Sequence, residues 1–440
     1  MHVTRHLLLA LIPLICSILF YRHSQMNIAA KMTINQQRTI AVVGGSYVGM
    51  NLAKNLLPSL PASHRVVVVE ANSHFNHLFT FPRFAVLHRG GEEKALIPYT
   101  HALDTTGGQG KILHAKAVSI HASDDDEGRG WLKLDRSTEE GDRLEFDYLA
   151  IATGTQLQRP WSLPSKQPDA AIAKRQAVET LQSYQDAVKQ AQKIVIVGGG
   201  AVGVQVACDI AELYPGEKSI TLLHSRDRVM NKFHSDLHDI VSQRFQQRGV
   251  STILGSRVVI PASGSFPNFV PGQTFNVELQ NGSSVQADLV LMCTGQTPRS
   301  DLLSTFSPQS INKDGFINVH PTLQISSPTP HPLLHNMFAL GDIADSGASK
   351  TVRAAFGQIE IVKSNILSLI NKEEKLKEFA SGPSGIHLSL GLYESIKFGN
   401  PAKEGDRPMN KGIERDLSLD MGIEGVWRRW NVPEGTPWHL

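Results

Sequence analysis

The sequence predicts an α/β protein built around two copies of one βαβ unit. Residues 39–50 read TIAVVGGSYVGM and residues 193–204 read KIVIVGGGAVGV, so in both segments a short apolar run ends at a glycine-rich turn. A second apolar run covers residues 65–70 in the first copy and 219–224 in the second, and it ends 21 positions after the last glycine of the turn in both. Such runs are typical of buried parallel strands, and the equal spacing indicates one design used twice.

The composition is that of a folded protein with more than one domain. The chain has 440 residues, of which 41% are hydrophobic and 19% are charged, and this length is about three times that of a typical domain. These values exclude a disordered chain, a collagen-like polymer and a multi-span membrane protein. The formal net charge of +2 gives no general attraction to nucleic acid, which is not expected as a partner.

Each glycine-rich turn is expected to begin a helix and to bind phosphate. Backbone N–H groups and the helix dipole attract an anion there, and small residues let a pyrophosphate approach. Residues 198–203 carry the complete G-x-G-x-x-G pattern, whereas residues 44–49 have Ser46 in the middle position. Two such turns in this context predict two Rossmann-like dinucleotide-binding domains. The predicted binding residues are Gly44, Gly45, Ser46, Tyr47, Val48 and Gly49 in the first turn and Gly198, Gly200, Val202 and Gly203 in the second.

The two copies differ at the end of the second strand. Glu70 can accept hydrogen bonds from both ribose hydroxyls of an adenosine, so the first site is expected to hold FAD or NAD. The second copy offers His224, followed by Arg226 and Arg228. This set should accept the 2′-phosphate of NADPH, although NADH remains open as the donor. The alternative for the two arginines is that they are ordinary solvated charges.

Three later segments fit sites for two nucleotides. Residues 146–154 (FDYLAIATG) and 287–295 (ADLVLMCTG) are each predicted to be a strand that crosses the mouth of a site. Residues 336–342 (NMFALGD) precede an apolar-periodic helix that begins at about residue 351. An Asp at this strand end can bond a polyol chain, although an Asp alone would also suit a helix cap. The binding residues predicted here are Thr153, Gly154, Gly295, Gly341 and Asp342.

In this order, the motifs resemble the pyridine nucleotide-disulfide oxidoreductase superfamily of flavoproteins over about residues 38–370. Residues 75–87 (FNHLFTFPRFAVL) and 384–391 (SGIHLSLG) are similar to its apoptosis-inducing-factor-2 and ferroptosis-suppressor branch, especially the fungal members. The resemblance implies FAD as the cofactor and NADPH or NADH as the electron donor. It also implies an NAD(P) domain inserted in the FAD domain. The implied segments are an N-terminal apolar segment (1–37), the FAD domain (38–160 and 285–370), the NAD(P) domain (161–284) and a smaller C-terminal α+β region (371–440).

The resemblance also implies roles for single residues. It places residues 44–49 at the pyrophosphate of FAD, Glu70 at the ribose, Arg83 near the flavin, Val118 beside the adenine, Asp342 at the ribitol and Lys350 close to the isoalloxazine. Arg83 and Lys350 are therefore candidate catalytic residues, with a surface lysine as the alternative for Lys350. His74 and His77 could relay protons near the flavin or be plain packed histidines. Gln205 stands where the family usually has a glutamate that faces the nicotinamide.

The cysteines decide between classes within this superfamily. The three cysteines of the chain are far apart, and residues 71–87 contain none where the disulfide reductases carry their redox pair. We therefore expect an FAD-dependent NAD(P)H oxidoreductase that passes electrons directly to a quinone-like acceptor. The alternatives are an apoptosis-related signalling protein that holds FAD and senses NAD(P)H, and a biosynthetic oxidoreductase acting on a small metabolite. No residue spacing predicts a metal site.

Two segments suggest contact with a membrane surface. Residues 7–20 are mostly apolar but short for a membrane span, so an anchor or targeting segment, a cleaved signal and a plain extension all stay open. Near the other end, Trp427 and Trp430 flank two arginines, a pattern that suits a membrane interface, a dimer contact or a cap over the flavin. We expect a membrane-associated protein on the cytoplasmic face, on a mitochondrial or other organelle membrane, and leave a homodimer open.

Overall fold

The computed structural model describes residues 37–87, 90–104, 108–123, 128–163, 167–415 and 418–439. It contains two parallel β-sheets, each surrounded by helices, and a C-terminal region that packs against both units. This arrangement confirms the predicted α/β fold with two Rossmann-like units. The apolar segment at residues 7–20 lies outside the described residues.

The first unit begins with a β-strand that runs directly into the first glycine-rich turn. Its elements in chain order are β1 (Arg38–Val43), α1 (Tyr47–Leu56), β2 (His64–Glu70), β3 (His74–Asn76), α2 (Phe81–Phe84), β4 (Leu96–Pro98), β5 (Gly110–His114), β6 (Ala117–Ala122), β7 (Gly130–Thr138), β8 (Gly141–Phe146), β9 (Tyr148–Ile151) and β10 (Thr155–Gln156). Strands β6, β7 and β8 form a separate antiparallel sheet.

The second unit repeats the strand–turn–helix start of the first. Its elements are α3 (Ala170–Gln190), β11 (Lys193–Val197), α4 (Ala201–Leu213), β12 (Ser219–Leu223), α5 (Ser235–Gln247), β13 (Val250–Ile253), β14 (Phe275–Glu278), β15 (Ser284–Ala287) and β16 (Leu289–Met292). The parallel sheet has the order β13-β12-β11-β16. Because β16 belongs to this sheet, the unit extends past residue 284, where the sequence placed its end.

The chain then returns to the first unit before it forms the C-terminal region. The remaining elements are β17 (Thr297–Pro298), α6 (Asp301–Ser304), β18 (Ile317–Asn318), β19 (Met337–Ala339), β20 (Ala344–Asp345), α7 (Val352–Ile370), β21 (Gly385–Ser389), β22 (Glu394–Gly399), β23 (Met409–Arg415) and α8 (Ile423–Arg429). Strand β19 completes the first sheet, whose order is β19-β9-β1-β2-β5. The second unit is therefore inserted in the first.

The positions of β1 and β11 determine where ligands can bind. Each strand lies inside its sheet, between two parallel neighbours that both follow it in the chain: β2 and β9 flank β1, and β12 and β16 flank β11. The apolar residues of both strands are buried, which explains their β-branched runs. In open α/β sheets, ligands bind at the carboxyl edge where the strand order reverses. Both glycine-rich turns lie at such an edge.

The C-terminal tryptophans are buried inside the protein. Trp427 is 4% exposed and donates its indole N–H to the carbonyl oxygen of Lys94 at 2.8 Å. Trp430 is 6% exposed and stacks on Phe75, with 4.1 Å between ring centroids. The interpretation that these two rings lie in a membrane interface is therefore wrong, because the protein itself covers them. In the part of the chain that the structure describes, no helix is both long and apolar enough to cross a bilayer.

Candidate functional site

The first glycine-rich turn is closely packed against the end of β9. Gly44 has φ +104°, and a Cβ there would lie 2.5 Å from the carbonyl oxygen of Ala152. A Cβ on Gly49 would lie 1.9 Å from the carbonyl oxygen of Gly44. Glycine is therefore required at both positions, since no side chain fits and the backbone at Gly44 is left-handed.

The second turn repeats this packing with different residues. Gly198 has φ +120°, and a Cβ there would lie 2.6 Å from the carbonyl oxygen of Cys293, at the end of β16. A Cβ on Gly203 would lie 1.9 Å from the carbonyl oxygen of Gly198. Residues 152–154 (ATG) and 293–295 (CTG) are thus equivalent, because the first residue of each segment packs against a glycine-rich turn.

The middle position of the second turn faces open space. A Cβ on Gly200 would meet no atom within 4 Å, and the half-buried Ser46 occupies the equivalent position before α1. Each turn begins a helix, where backbone N–H groups can bind a pyrophosphate. The geometry of both turns fits a dinucleotide.

Glu70 is held beside the first turn by hydrogen bonds to both carboxylate oxygens. Gly45 donates its backbone N–H to Oε2 at 2.5 Å, and Asn72 donates its backbone and side-chain N–H groups to Oε1, each at 2.7 Å. The hydroxyl of Tyr99 donates to the carbonyl oxygen of Gly45 at 2.9 Å. Glu70 is thus fixed where a strand-end acid binds ribose. Nothing in the sequence pattern marked Asn72 or Tyr99.

His224 is the counterpart of Glu70 at the second turn. Its Nδ1 accepts a hydrogen bond from the backbone N–H of Gly199 at 3.1 Å. Arg226 is exposed and Arg228 is half-buried, which fits both ligand-binding residues and ordinary solvated charges. Asp227, between the two arginines in the sequence, is a carboxylate that the sequence argument overlooked. Its charge raises the pKa of His224, whereas the charge of Arg226 lowers it.

Gly341 and Asp342 lie against the first turn. A Cβ on Gly341 would be 3.1 Å from the side chain of Val48, and the backbone at Gly341 has φ +79°. Its N–H donates to Oε1 of Gln358, in α7, at 2.7 Å. The structure therefore brings Asp342 next to the start of α1.

Lys350 lies close to Asp342 in the same part of the site. Its Nζ donates to the carbonyl oxygen of Ala344 and lies 4.3 Å from the ring centroid of Phe316. Burial lowers the pKa of Lys350 and raises the pKa of Asp342, while the attraction between the two charges opposes both shifts. Lys232, from the second unit, acts electrostatically on both residues and had no signal in the sequence. Charges from both units therefore act on Asp342 and Lys350.

The two segments that follow β9 and β16 are joined to each other. Strands β10 and β17 pair, with Thr155 opposite Pro298. The hydroxyl of Thr153 donates to the carbonyl oxygen of Arg299 at 2.7 Å. Gly154 and Gly295 both have left-handed backbones, with φ values of +63° and +77°. Val118 is 39% exposed on β6, and its contact with adenine stays a prediction.

Arg83 is buried between distant segments of the protein, and its place near the flavin stays a prediction. It is 2% exposed, and its Nε–H donates to Oδ2 of the buried Asp209, in α4, at 2.8 Å. Its other N–H groups donate to the carbonyl oxygens of Leu392, Leu419 and Gly391 and to Oγ of Ser389. All five guanidinium N–H groups therefore have protein acceptors. Arg83 therefore joins α2, α4 and the C-terminal region, with all of its guanidinium N–H groups used within the protein.

An aromatic cluster covers one side of the first turn. The hydroxyl of Tyr47 and Nδ1 of His77 are 2.8 Å apart, and the ring of Tyr47 also contacts Phe75 and Phe79. Burial lowers the pKa of His77 to about 4, and the charge of Arg429 lowers it further. His77 is consequently neutral at pH 7. His74 is also buried, with its Nδ1 2.9 Å from Oγ of Ser73.

Comparison with known proteins tests the resemblance directly. The family model described as pyridine nucleotide-disulphide oxidoreductase matches residues 38–358. Fe-regulated protein 8 of Mycosarcoma maydis is 38% identical over 426 residues, which cover 94% of this chain and 100% of that protein. Ferroptosis suppressor protein 1 of Taeniopygia guttata is 26% identical over 371 residues, which cover 83% of this chain and 90% of that protein. Both the superfamily and the branch are as the motifs indicated.

A solved structure shows the same fold. The sulfide:quinone oxidoreductase of Aquifex aeolicus aligns with a TM-score of 0.67 at 17% identity, covering 90% of this chain and 93% of that one. The family model and the 38% identical relative lead to the same conclusion. This chain belongs to the pyridine nucleotide-disulphide oxidoreductase family.

Proposed function

We propose that this protein is an FAD-dependent NAD(P)H oxidoreductase that reduces a quinone-like acceptor without a redox disulfide. Oxidoreductase chemistry with FAD and NAD(P)H follows from the family. The observation that carries the rest is the pair of equivalent glycine-rich turns in one chain, joined through β10 and β17, with no cysteine in residues 71–87. FAD, when bound, supplies a ring that can take a hydride and release electrons to an acceptor.

The residues of the first unit would bind the cofactor and control its charge. Backbone N–H groups at the start of α1 and the carboxylate of Glu70 suit the pyrophosphate and the ribose. Asp342 would bond a polyol chain of the cofactor. Lys350, a cation in a partly buried setting, would stabilise negative charge that develops beside it. Arg83 has no part in this proposal beyond holding α2, α4 and the C-terminal region together.

The acceptor is inferred from chemistry and from the fold. Without a cysteine pair in residues 71–87, the chain lacks the dithiol through which the disulfide reductases pass electrons. The solved structure with the same fold is named for its action on a quinone. A planar aromatic acceptor also suits a region that carries Tyr47, Phe79 and His77, since aromatic rings stack favourably.

The test is anaerobic reduction followed by an acceptor. The purified protein should be yellow, lose its colour with NADPH or NADH, and regain it on addition of a short-chain quinone. A protein that stays oxidised with both nucleotides would support the signalling alternative. A protein that is reduced by a nucleotide but is not reoxidised by any quinone tested would support an unidentified metabolite as substrate.

Lys350 offers a sharper test of the same proposal. Lys350→Met should lower quinone-dependent turnover roughly ten- to hundredfold, because a buried charge is most effective where charge develops. The matched control is Lys375→Met, which removes an exposed lysine from the segment after α7. Turnover and FAD content are measured together. Unchanged turnover in Lys350→Met with full FAD content would remove this lysine from the mechanism.

The membrane surface stays part of the proposal. Its support is the apolar run at residues 7–20, outside the described residues, since the C-terminal tryptophans no longer contribute. Deleting residues 1–36 should move the protein from the membrane fraction to the supernatant while its FAD content is kept. An unchanged distribution would remove this support.

A further inference from the structure

A groove on the first unit lies between the end of α1 and the end of α8. This α1–α8 groove has a volume of about 680 Å³ and is lined by Lys54, Leu57, Pro58, Leu60, Leu103, Gln109, Arg429 and Asn431. The leucines form an apolar wall, and no carboxylate lines the groove in the part of the chain that the structure describes. The lining therefore combines apolar surface with two positive charges.

Both cations of the groove lack an anionic partner. The guanidinium of the exposed Arg429 has no ion pair or hydrogen-bond acceptor among the described residues. The Nζ of Lys54 donates to the carbonyl oxygen of Arg429 at 2.7 Å and lies 5.0 Å from the ring centroid of Trp430. An ammonium has three N–H groups, so the other two of Lys54 can bind a ligand. Burial lowers the pKa of Lys54, and an anion in the groove would offset this cost.

The lining matches a phosphate ester that carries apolar chains. Phosphate oxygens accept strong, charge-assisted hydrogen bonds from lysine and arginine. Apolar chains gain free energy when they cover the leucines. The side-chain oxygens of Gln109 and Asn431 accept no hydrogen bond from the described residues, so they can accept from hydroxyls of a headgroup. This combination is the chemistry of an anionic phospholipid.

The chain enters the described structure beside the groove. The side-chain N–H of Gln37 donates to the carbonyl oxygen of Ala62 at 2.7 Å, and that of Gln109 donates to the carbonyl oxygen of Pro61 at 3.1 Å. Both side chains are thus bonded to the turn that follows Leu60. The apolar segment at residues 7–20 therefore joins the first unit on the side that carries the groove. This shared side favours a lipid of the membrane over a free phosphate ester as the occupant.

We propose that the α1–α8 groove binds an anionic membrane lipid. The phosphate bonds Arg429 and Lys54, and the first carbons of the acyl chains lie on the leucines. The inference rests on the proposed function only in taking the protein to a membrane surface. It makes no use of the nucleotide or of the acceptor.

The test uses the full chain loaded with FAD and a soluble lipid. Calorimetric titration with dihexanoyl phosphatidylglycerol, below the concentration at which it forms micelles, should show saturable binding. Dihexanoyl phosphatidylcholine should bind at least about fivefold more weakly, and Arg429→Gln should weaken phosphatidylglycerol binding about fivefold, the effect expected of one cation at a lipid surface. Sedimentation with phosphatidylcholine vesicles, with and without phosphatidylglycerol, should show the same order.

The control separates the groove from the overall charge of the protein. Arg257→Gln removes an exposed arginine of the second unit that does not line the groove, and it should change either measurement by less than about twofold, since distant charges are screened. No saturable binding of the soluble lipid, or equal losses in Arg429→Gln and Arg257→Gln, would overturn the inference.

Two further outcomes have distinct meanings. Saturable binding that appears only after deletion of residues 1–36 would mean that this segment occupies the groove, and it would overturn the inference as well. A protein that reduces no quinone would contradict the proposed function but would leave lipid binding unchanged.

Discussion

The two glycine-rich turns have nearly the same backbone and different surroundings. In both, a left-handed glycine packs on a carbonyl oxygen from a returning strand, at 2.5 Å from a Cβ on Gly44 and 2.6 Å from one on Gly198. At the first turn the strand ends in the carboxylate of Glu70, and at the second it ends in the imidazole of His224. Backbone packing thus explains why the motif repeats, whereas one side chain distinguishes the nucleotides that the two sites are expected to hold.

The largest expected effect comes from filling the closely packed glycine of each turn. Gly44→Ala places a Cβ against a backbone carbonyl that cannot move aside, in a conformation that L residues rarely adopt. It should abolish FAD binding, which the absorbance ratio of flavin to protein measures. Gly198→Ala should leave the protein yellow and abolish NAD(P)H binding. A Gly198→Ala protein that loses FAD as well would show that the two turns are not independent.

The next largest effect is a difference in unfolding free energy between variants of the two helices that follow the turns. Asp209 in α4 forms the buried ion pair with Arg83, whereas the equivalent position in α1 is the half-exposed Asn55. Asp209→Ala leaves the guanidinium buried without its anion and should cost about 3–5 kcal/mol of unfolding free energy. Asn55→Ala is the matched control and should cost less than about 1 kcal/mol. Urea unfolding measures both, and equal costs would contradict the contrast.

A pH-dependent effect on stability is expected only at the first turn. Tyr47 forms a hydrogen bond with His77 there, whereas the second turn has Ala201 in place of Tyr47. The pKa of His77 is about 4 in the folded protein, against about 6.5 when unfolded. The unfolded chain thus binds more protons between pH 6.5 and 4, so stability falls as pH falls through this window, by about 3 kcal/mol. His77→Gln should remove that share of the pH dependence in urea unfolding. An identical pH dependence would show that His77 is not buried as described.

The smallest effect is expected at the middle position of each turn. Gly200→Ser and Ser46→Gly exchange the residues at these equivalent positions, and a Cβ on Gly200 would face open space. Each should change nucleotide affinity by less than about threefold and stability by less than about 0.5 kcal/mol. Fluorescence titration and thermal unfolding measure these changes. A large loss in Gly200→Ser alone would mean that the second turn holds its ligand more closely than the first.

Much of the fold was predictable because its determinants are local. The β-branched runs, the glycines with left-handed backbones and the equal spacing of the two copies are all read within about 35 residues, the length of one βαβ unit. The second unit nevertheless extends through β16, past residue 284, because membership of a sheet depends on a pairing between distant segments. The resemblance placed Lys350 and Asp342 at one cofactor, and their charges act on each other in the structure, while their roles stay predictions.

The less predictable part of the site depends on contacts between distant residues. Tryptophans beside arginines suit a membrane interface and a buried cluster equally well, and only the packing of Trp430 on Phe75 decides between them. Asn72, Tyr99 and Lys232 carried no motif, since they act through positions set by other elements.

By itself, the sequence determined that this chain has two nucleotide-binding turns of one design. The reason is that each turn depends on neighbouring residues: glycines at positions where no Cβ fits, and an apolar run directly before them. It also determined the absence of a cysteine pair in residues 71–87. Only the tertiary structure decided that Arg83 binds Asp209 and the C-terminal region, and that Nδ1 of His224 accepts a hydrogen bond from Gly199. The physical reason is that a side chain's partners depend on which distant segments the fold brings within hydrogen-bonding distance.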